Sequence, residues 1–113
     1  MSRPGALERS GALVTVMNVV QVHEERREAF ERAFLERESH VHQAPGFAGF
    51  ELLRREGEGV GEYVVLSRWE SDEAFKAWVN SDLFKMSHRH ADGELAHGSE
   101  VRNYTVIDAK VPA

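Results

Sequence analysis

Apolar positions run along this chain in three rhythms, and each rhythm predicts a different element. Residues 12–22, ALVTVMNVVQV, are an unbroken β-branched run. One parity holds Val14, Val16, Asn18, Val20 and Val22; the other holds Leu13, Thr15, Met17, Val19 and Gln21. Both parities are largely apolar, which predicts a buried strand covered on both faces. Residues 24–42 switch to helical spacing, with Phe30, Phe34, Arg37 and Val41 on one stripe and Ala29 and Ala33 beside them. That helix is expected to end before Pro45, because proline disfavours the α region for its predecessor. Residues 46–54 and 62–69 read as strands joined across the glycine-rich charged segment 55–61, a hairpin.

Ser71 then caps a helix whose first turn carries Asp72 and Glu73, where the helix dipole favours negative charge. Ala74, Phe75, Trp78 and Val79 form its inner stripe. Ser81-Asp82 restarts a short helix through Leu83, Phe84, Lys85 and His88. Residues 91–98 read as a loop and residues 100–108 as a fourth strand. The order β-α-β-β-α-β predicts a ferredoxin-like α+β fold: a four-stranded antiparallel sheet with helices on one face. Residues 1–11 read as a flexible arm and residues 12–110 as the domain. Leu13, Met17 and Val19 lie on the sheet face that carries no helix. A second copy packing sheet against sheet, a dimeric α+β barrel, is the expected cover.

Composition narrows the chemistry. The 113 residues contain no cysteine. This excludes disulfides, thiolate nucleophiles and zinc–thiolate or iron–sulfur ligation, and leaves histidine, carboxylate and methionine as possible metal ligands. A formal charge of −5 argues against non-specific nucleic-acid binding. No apolar run is long enough to span a membrane, and the cytoplasm is the expected location.

Three residues stand out. Asn18 is an amide in the middle of a valine face, where burial without a partner costs about 1–3 kcal/mol. It is either satisfied by water or backbone, or aimed at a ligand. Trp78 shares a stripe with Phe75 and is either core or the flat wall of a pocket. His88 follows Phe84 by four residues and is either a structural histidine near a helix end or a metal ligand or acid–base group. The pairs His40/His42 and His88/His90 do not make a zinc site on a helix, where residues two apart point to opposite sides. The GEGVG segment has no following helix and no phosphate-binding lysine, so it is a turn. Arg37 interrupts an apolar stripe and is either a snorkelling surface side chain or a contact for a carboxylate ligand.

Together these segments resemble the haem-degrading monooxygenases of the antibiotic-biosynthesis-monooxygenase superfamily, from about Val14 to Ile107. APGFAGFELLR at residues 44–54 and WESDEAFKAWVNSDLFKMSH at residues 69–88 carry the superfamily resemblance. Asn18, Trp78 and His88 mark the haem-degrading branch. The resemblance implies His88 as the ligand of the haem iron, Trp78 pressing on the porphyrin, and Asn18 hydrogen-bonding iron-bound dioxygen. It implies Arg37 on a propionate, with Phe34 and Phe84 also at the haem. It further implies a homodimer that takes haem as substrate and cofactor, uses O2, and draws electrons from an external reductant. Two other readings fit the same fold: a cofactor-free quinol or polyketide monooxygenase, and a haem-binding protein without turnover.

Overall fold

The structure, a computed structural model, describes residues 13–37, 39–58, 61–87 and 96–112. Strand β1 (Val14–Val22) is followed by a 3-10 turn (Glu24–Arg26) and helix α1 (Arg27–Glu36). A second 3-10 turn (Val41–Gln43) leads into the hairpin of β2 (Phe47–Arg54) and β3 (Glu62–Trp69). Helices α2 (Asp72–Val79) and α3 (Asp82–Ser87) precede β4 (Ala96–Thr105). The sheet order is β2-β3-β1-β4 and every pairing is antiparallel, the ferredoxin-like arrangement expected from the element order.

Local chemistry explains the joints. Phe47 N–H donates to Ala44 C=O at 3.1 Å across Pro45-Gly46, and Gly46 has φ +82°. This is a type II turn, with proline fixing the first central position and glycine supplying positive φ at the second. A Cβ on Gly46 would also lie 2.5 Å from Ala74 Cβ, so the same glycine lets α2 close on the turn. Ser71 Oγ accepts from Ala74 N–H at 3.1 Å, the expected cap of α2. Ser81 Oγ donates to Trp78 C=O and accepts from Phe84 N–H, ending α2 and starting α3 with one hydroxyl.

Two boundaries differ from expectation. The helix anticipated over residues 24–42 stops at Glu36, and Arg37 is extended at φ −71°, ψ 149°. Ser39 Oγ accepts the Val41 N–H at 3.4 Å, a local bond that competes with helix continuation. Arg37 and Val41 therefore leave the helical stripe. The fourth strand starts at Ala96, not at residue 100, and ends at Thr105, not at 108. Its length is set by its partner, since it follows β1 from Val14↔Thr105 to Val22↔Ala96. The sequence AHGS has no strand pattern of its own. The expected arm, residues 1–11, and most of the expected loop 91–98 lie outside the described residues.

Val14, Val16, Val20 and Val22 are buried under the helices, as the parity predicted. They serve two separate clusters. Val14, Val16, Ala44, Trp69 and Trp78 form one. Val20, Val22, Phe30, Phe34 and Tyr63 form the other. Asn18 is the residue of this parity between them. Across the sheet its row holds Val65 and Val101, with Leu52 beside Val65.

Candidate active site

The gap between the two clusters is a cavity of about 380 Å³. Small-molecule sites are commonly about 300–1,000 Å³ and mostly apolar, with few polar groups. The sheet supplies Val16, Asn18, Val65, Ser67 and Val101 as the floor. Trp78, Phe75, Val79 and Phe84 from the second helical region form one wall, and Arg37, Ser39 and Val41 form the other.

Four residues singled out in the sequence thus meet at one cavity: Asn18, Arg37, Trp78 and Phe84. Phe34 does not line it. Phe34 faces an adjoining cleft of about 760 Å³ that shares Arg37, Ser39, Val41 and Phe50 with the cavity. The Arg37 guanidinium lies 4.0 Å from the centre of the Phe34 ring, so the cation sits at the junction of the two spaces. His88 lies outside the described residues.

Trp78 is held by aromatic contacts on both sides. It stacks on Trp69 at 6.3 Å and 27°, and meets Phe84 edge-on at 5.6 Å. Trp69 is fully buried and donates its indole N–H to Ser67 Oγ at 2.9 Å. This wall is part of the core, so its position in the cavity is set before any ligand arrives.

Asn18 Oδ1 is buried and has no hydrogen-bond partner among the described residues. An unpaired buried carbonyl oxygen is uncommon in folded proteins and costs about 1–3 kcal/mol. The orphaned atom is the acceptor of the amide, so it calls for a donor from a ligand or a water.

Ser67 was not singled out in the sequence, although the signal was there. Tyr63, Val65, Ser67 and Trp69 share one parity of β3, and serine is the small polar interruption in it, as asparagine is in β1. A second missed group closes the far end of the wider cleft. Glu31 accepts from Arg54 Nε at 2.7 Å, from Arg54 Nη2 at 2.9 Å and from Tyr63 Oη at 2.5 Å. The arginine first, then the phenol, hold the Glu31 carboxyl down to about 2. Burial, reinforced by Glu31, pushes the Tyr63 phenol up. This cluster ties α1 to the β2–β3 hairpin. No group of three or more histidine, cysteine or acidic residues arranged to hold a metal occurs among the described residues. No described helix is long and apolar enough to cross a membrane.

An apolar cavity between a ferredoxin-like sheet and its helices, floored by isolated polar groups, has the make-up of a small-molecule site. The chain belongs to the antibiotic biosynthesis monooxygenase family, whose sequence profile matches residues 13–90, and it is an oxidoreductase. A mycobilin-producing haem oxygenase from Mycobacterium tuberculosis is 34% identical over 94 residues, 83% of this chain and 89% of that protein. The haem-degrader MhuD from Mycobacterium tuberculosis, solved with two haems bound in its active site, matches with a TM-score of 0.73 at 33% identity. That match covers 87% of this chain and 99% of that one. SnoaB, a cofactor-independent oxygenase from Streptomyces nogalater, matches with a TM-score of 0.70 at 26% identity, covering 88% and 97%. Two chemistries therefore share this backbone almost equally, and the side chains in the cavity must discriminate between them.

Proposed function

We propose that this enzyme is a haem-degrading monooxygenase: it binds haem as its substrate and opens the porphyrin with O2 and electrons from an external donor. The observation that carries the reading is the apolar cavity walled by Trp78 and Phe84, with the Asn18 amide on its floor and Arg37 at its edge. The donor set fits the group. A porphyrin is flat and apolar with two carboxylates at one edge. The cavity offers an indole and phenyl wall, and Arg37 stands at its junction with the wider cleft. The identity to the haem degrader of Mycobacterium tuberculosis supports the same reading.

Haem supplies the iron at which O2 is activated; the protein binds, orients and excludes water. Trp78, locked between Trp69 and Phe84, would supply a fixed flat wall for the porphyrin. Phe84 would add apolar contact, and Arg37, held over Phe34, would be the cation for a propionate. The Asn18 amide N–H would be the donor beside the reacting oxygen. The resemblance of residues 69–88 assigns the iron to the His88 imidazole. His88→Ala is expected to remove the residue that would hold the iron and to change the Soret spectrum, and an unchanged spectrum would remove that assignment.

The proposed enzyme is a homodimer. The sheet face away from the helices carries Met17, Val19, Val64 and Leu53, and Leu53 remains 40% exposed in the single chain, whereas Leu66 on the same face is already buried. A second copy would cover this stripe.

The deciding experiment is a haemin titration followed by ascorbate in air with catalase present. A saturable Soret band that decays to a bilin spectrum is the expected result. A stable Soret band would leave binding without degradation. Absence of a specific band would favour the cofactor-free chemistry of an electron-rich phenol or quinol, to which the likeness to SnoaB points.

A further inference from the structure

The cavity floor holds a second polar group whose geometry complements Asn18. Ser67 pairs with Val16 and Asn18 pairs with Val65, so the two side chains are diagonal neighbours on one face of adjacent strands. Diagonal neighbours stand about 7 Å apart at Cβ, too far for a direct bond between two short side chains. They are at the spacing that one small bridging group spans.

The hydrogen-bond directions agree. Trp69 Nε1–H donates to Ser67 Oγ at 2.9 Å, which occupies an acceptor site of the hydroxyl. The hydroxyl proton is left to donate elsewhere. Asn18 Oδ1, buried in the same floor, needs a donor. A donor and an acceptor facing one gap match the two sides of an O–H group.

We propose that Ser67 and Asn18 together hold one water molecule on the cavity floor, which accepts from Ser67 Oγ–H and donates to Asn18 Oδ1. Trp69 is the positioning residue: fully buried and stacked on Trp78, it keeps the serine proton off its own side. The remaining O–H of the water faces an otherwise apolar cavity, so this water is a hydrogen-bond donor to oxygen at the substrate. That last role rests on the haem-degrading reading; the water site itself does not.

The test compares crystal structures of the substrate-free wild type, Ser67→Thr and Ser67→Ala, with haem affinity and single-turnover rate measured on the same preparations. The wild type and Ser67→Thr are expected to show an ordered water within about 2.6–3.2 Å of both oxygens, and Ser67→Ala to lose it. Ser67→Ala is expected to bind haem as the wild type does yet turn over at least about ten-fold more slowly, with Ser67→Thr restoring the rate. A wild-type floor without this water, or a Ser67→Ala crystal that keeps it, overturns the site. Equal turnover in Ser67→Ala overturns the hydrogen-bonding role at the substrate. A wild type that holds the water but binds no haem leaves the site standing and removes the functional reading.

Discussion

Asn18→Val is expected to make the substrate-free protein more stable and the enzyme inactive. Asn18 sits between two apolar clusters, in a row with Val65 and Val101. Its Oδ1 is buried without a partner among the described residues. Removing an unsatisfied buried acceptor recovers about 1–3 kcal/mol. A β-branched residue on a strand face adds a few tenths, up to about 1 kcal/mol. Part of Asn18 faces the cavity, and a water there offsets some of the penalty, so the net gain is about 1–2 kcal/mol. For a chain of this size that raises Tm by about 3–10 °C. The assay is a thermal and urea melt of the substrate-free protein at one fixed concentration, paired with haem affinity and turnover. Val20→Asn is the control. It places the same amide two residues along the same face, at a position only 6% exposed, and is expected to cost about 3 kcal/mol or more. An Asn18→Val protein that melts lower than the wild type would refute the claim that this amide is strained for function. Undiminished turnover would refute its role beside the substrate.

Other perturbations test neighbouring parts of the structure. The Glu31 carboxyl is held down to about 2 by Arg54 and Tyr63, so its contribution is complete above about 4.5 and disappears as pH falls from there towards 2. Melting temperature is expected to fall more steeply across that window in the wild type than in Glu31→Gln; parallel curves would contradict the assignment. Ser71→Ala removes the α2 cap and is expected to destabilise by about 1 kcal/mol in a urea titration, with no change in the α1 half of the structure. Leu53→Glu puts a charge on the sheet face away from the helices and is expected to convert the proposed dimer to monomer in sedimentation equilibrium. A dimer that survives it would mean that the partner binds elsewhere.

How much of this was legible in the residues depends on how local the governing interaction is. The valine parity of β1 and the Ser71 cap are decided within a few residues, and pattern alone placed them; the Pro45-Gly46 turn is as local, yet the sequence offered Pro45 only as a helix stop. The Ser81-Asp82 restart is equally local, since one hydroxyl serves both helix ends. Asn18 was conspicuous because an amide breaks a run of valines. Ser67 breaks a parity in the same way, yet serine is common on strands. Its meaning emerges only when β3 lies beside β1 and brings it diagonal to Asn18.

By itself, then, the sequence determined the element order, the inward face of the sheet and the residue types offered to a ligand, because these follow from periodicity and side-chain chemistry. Only the tertiary structure decided where the first helix stops, how far β4 extends and which of those residues meet. The helix ends at Glu36, where Arg37 turns into extended backbone. Strand β4 runs as far as β1 provides partners, whatever its own hydropathy. The cavity exists because two helical regions cover two separate apolar clusters and leave the row between them open. That gap is a property of packing, and no stretch of sequence encodes it alone.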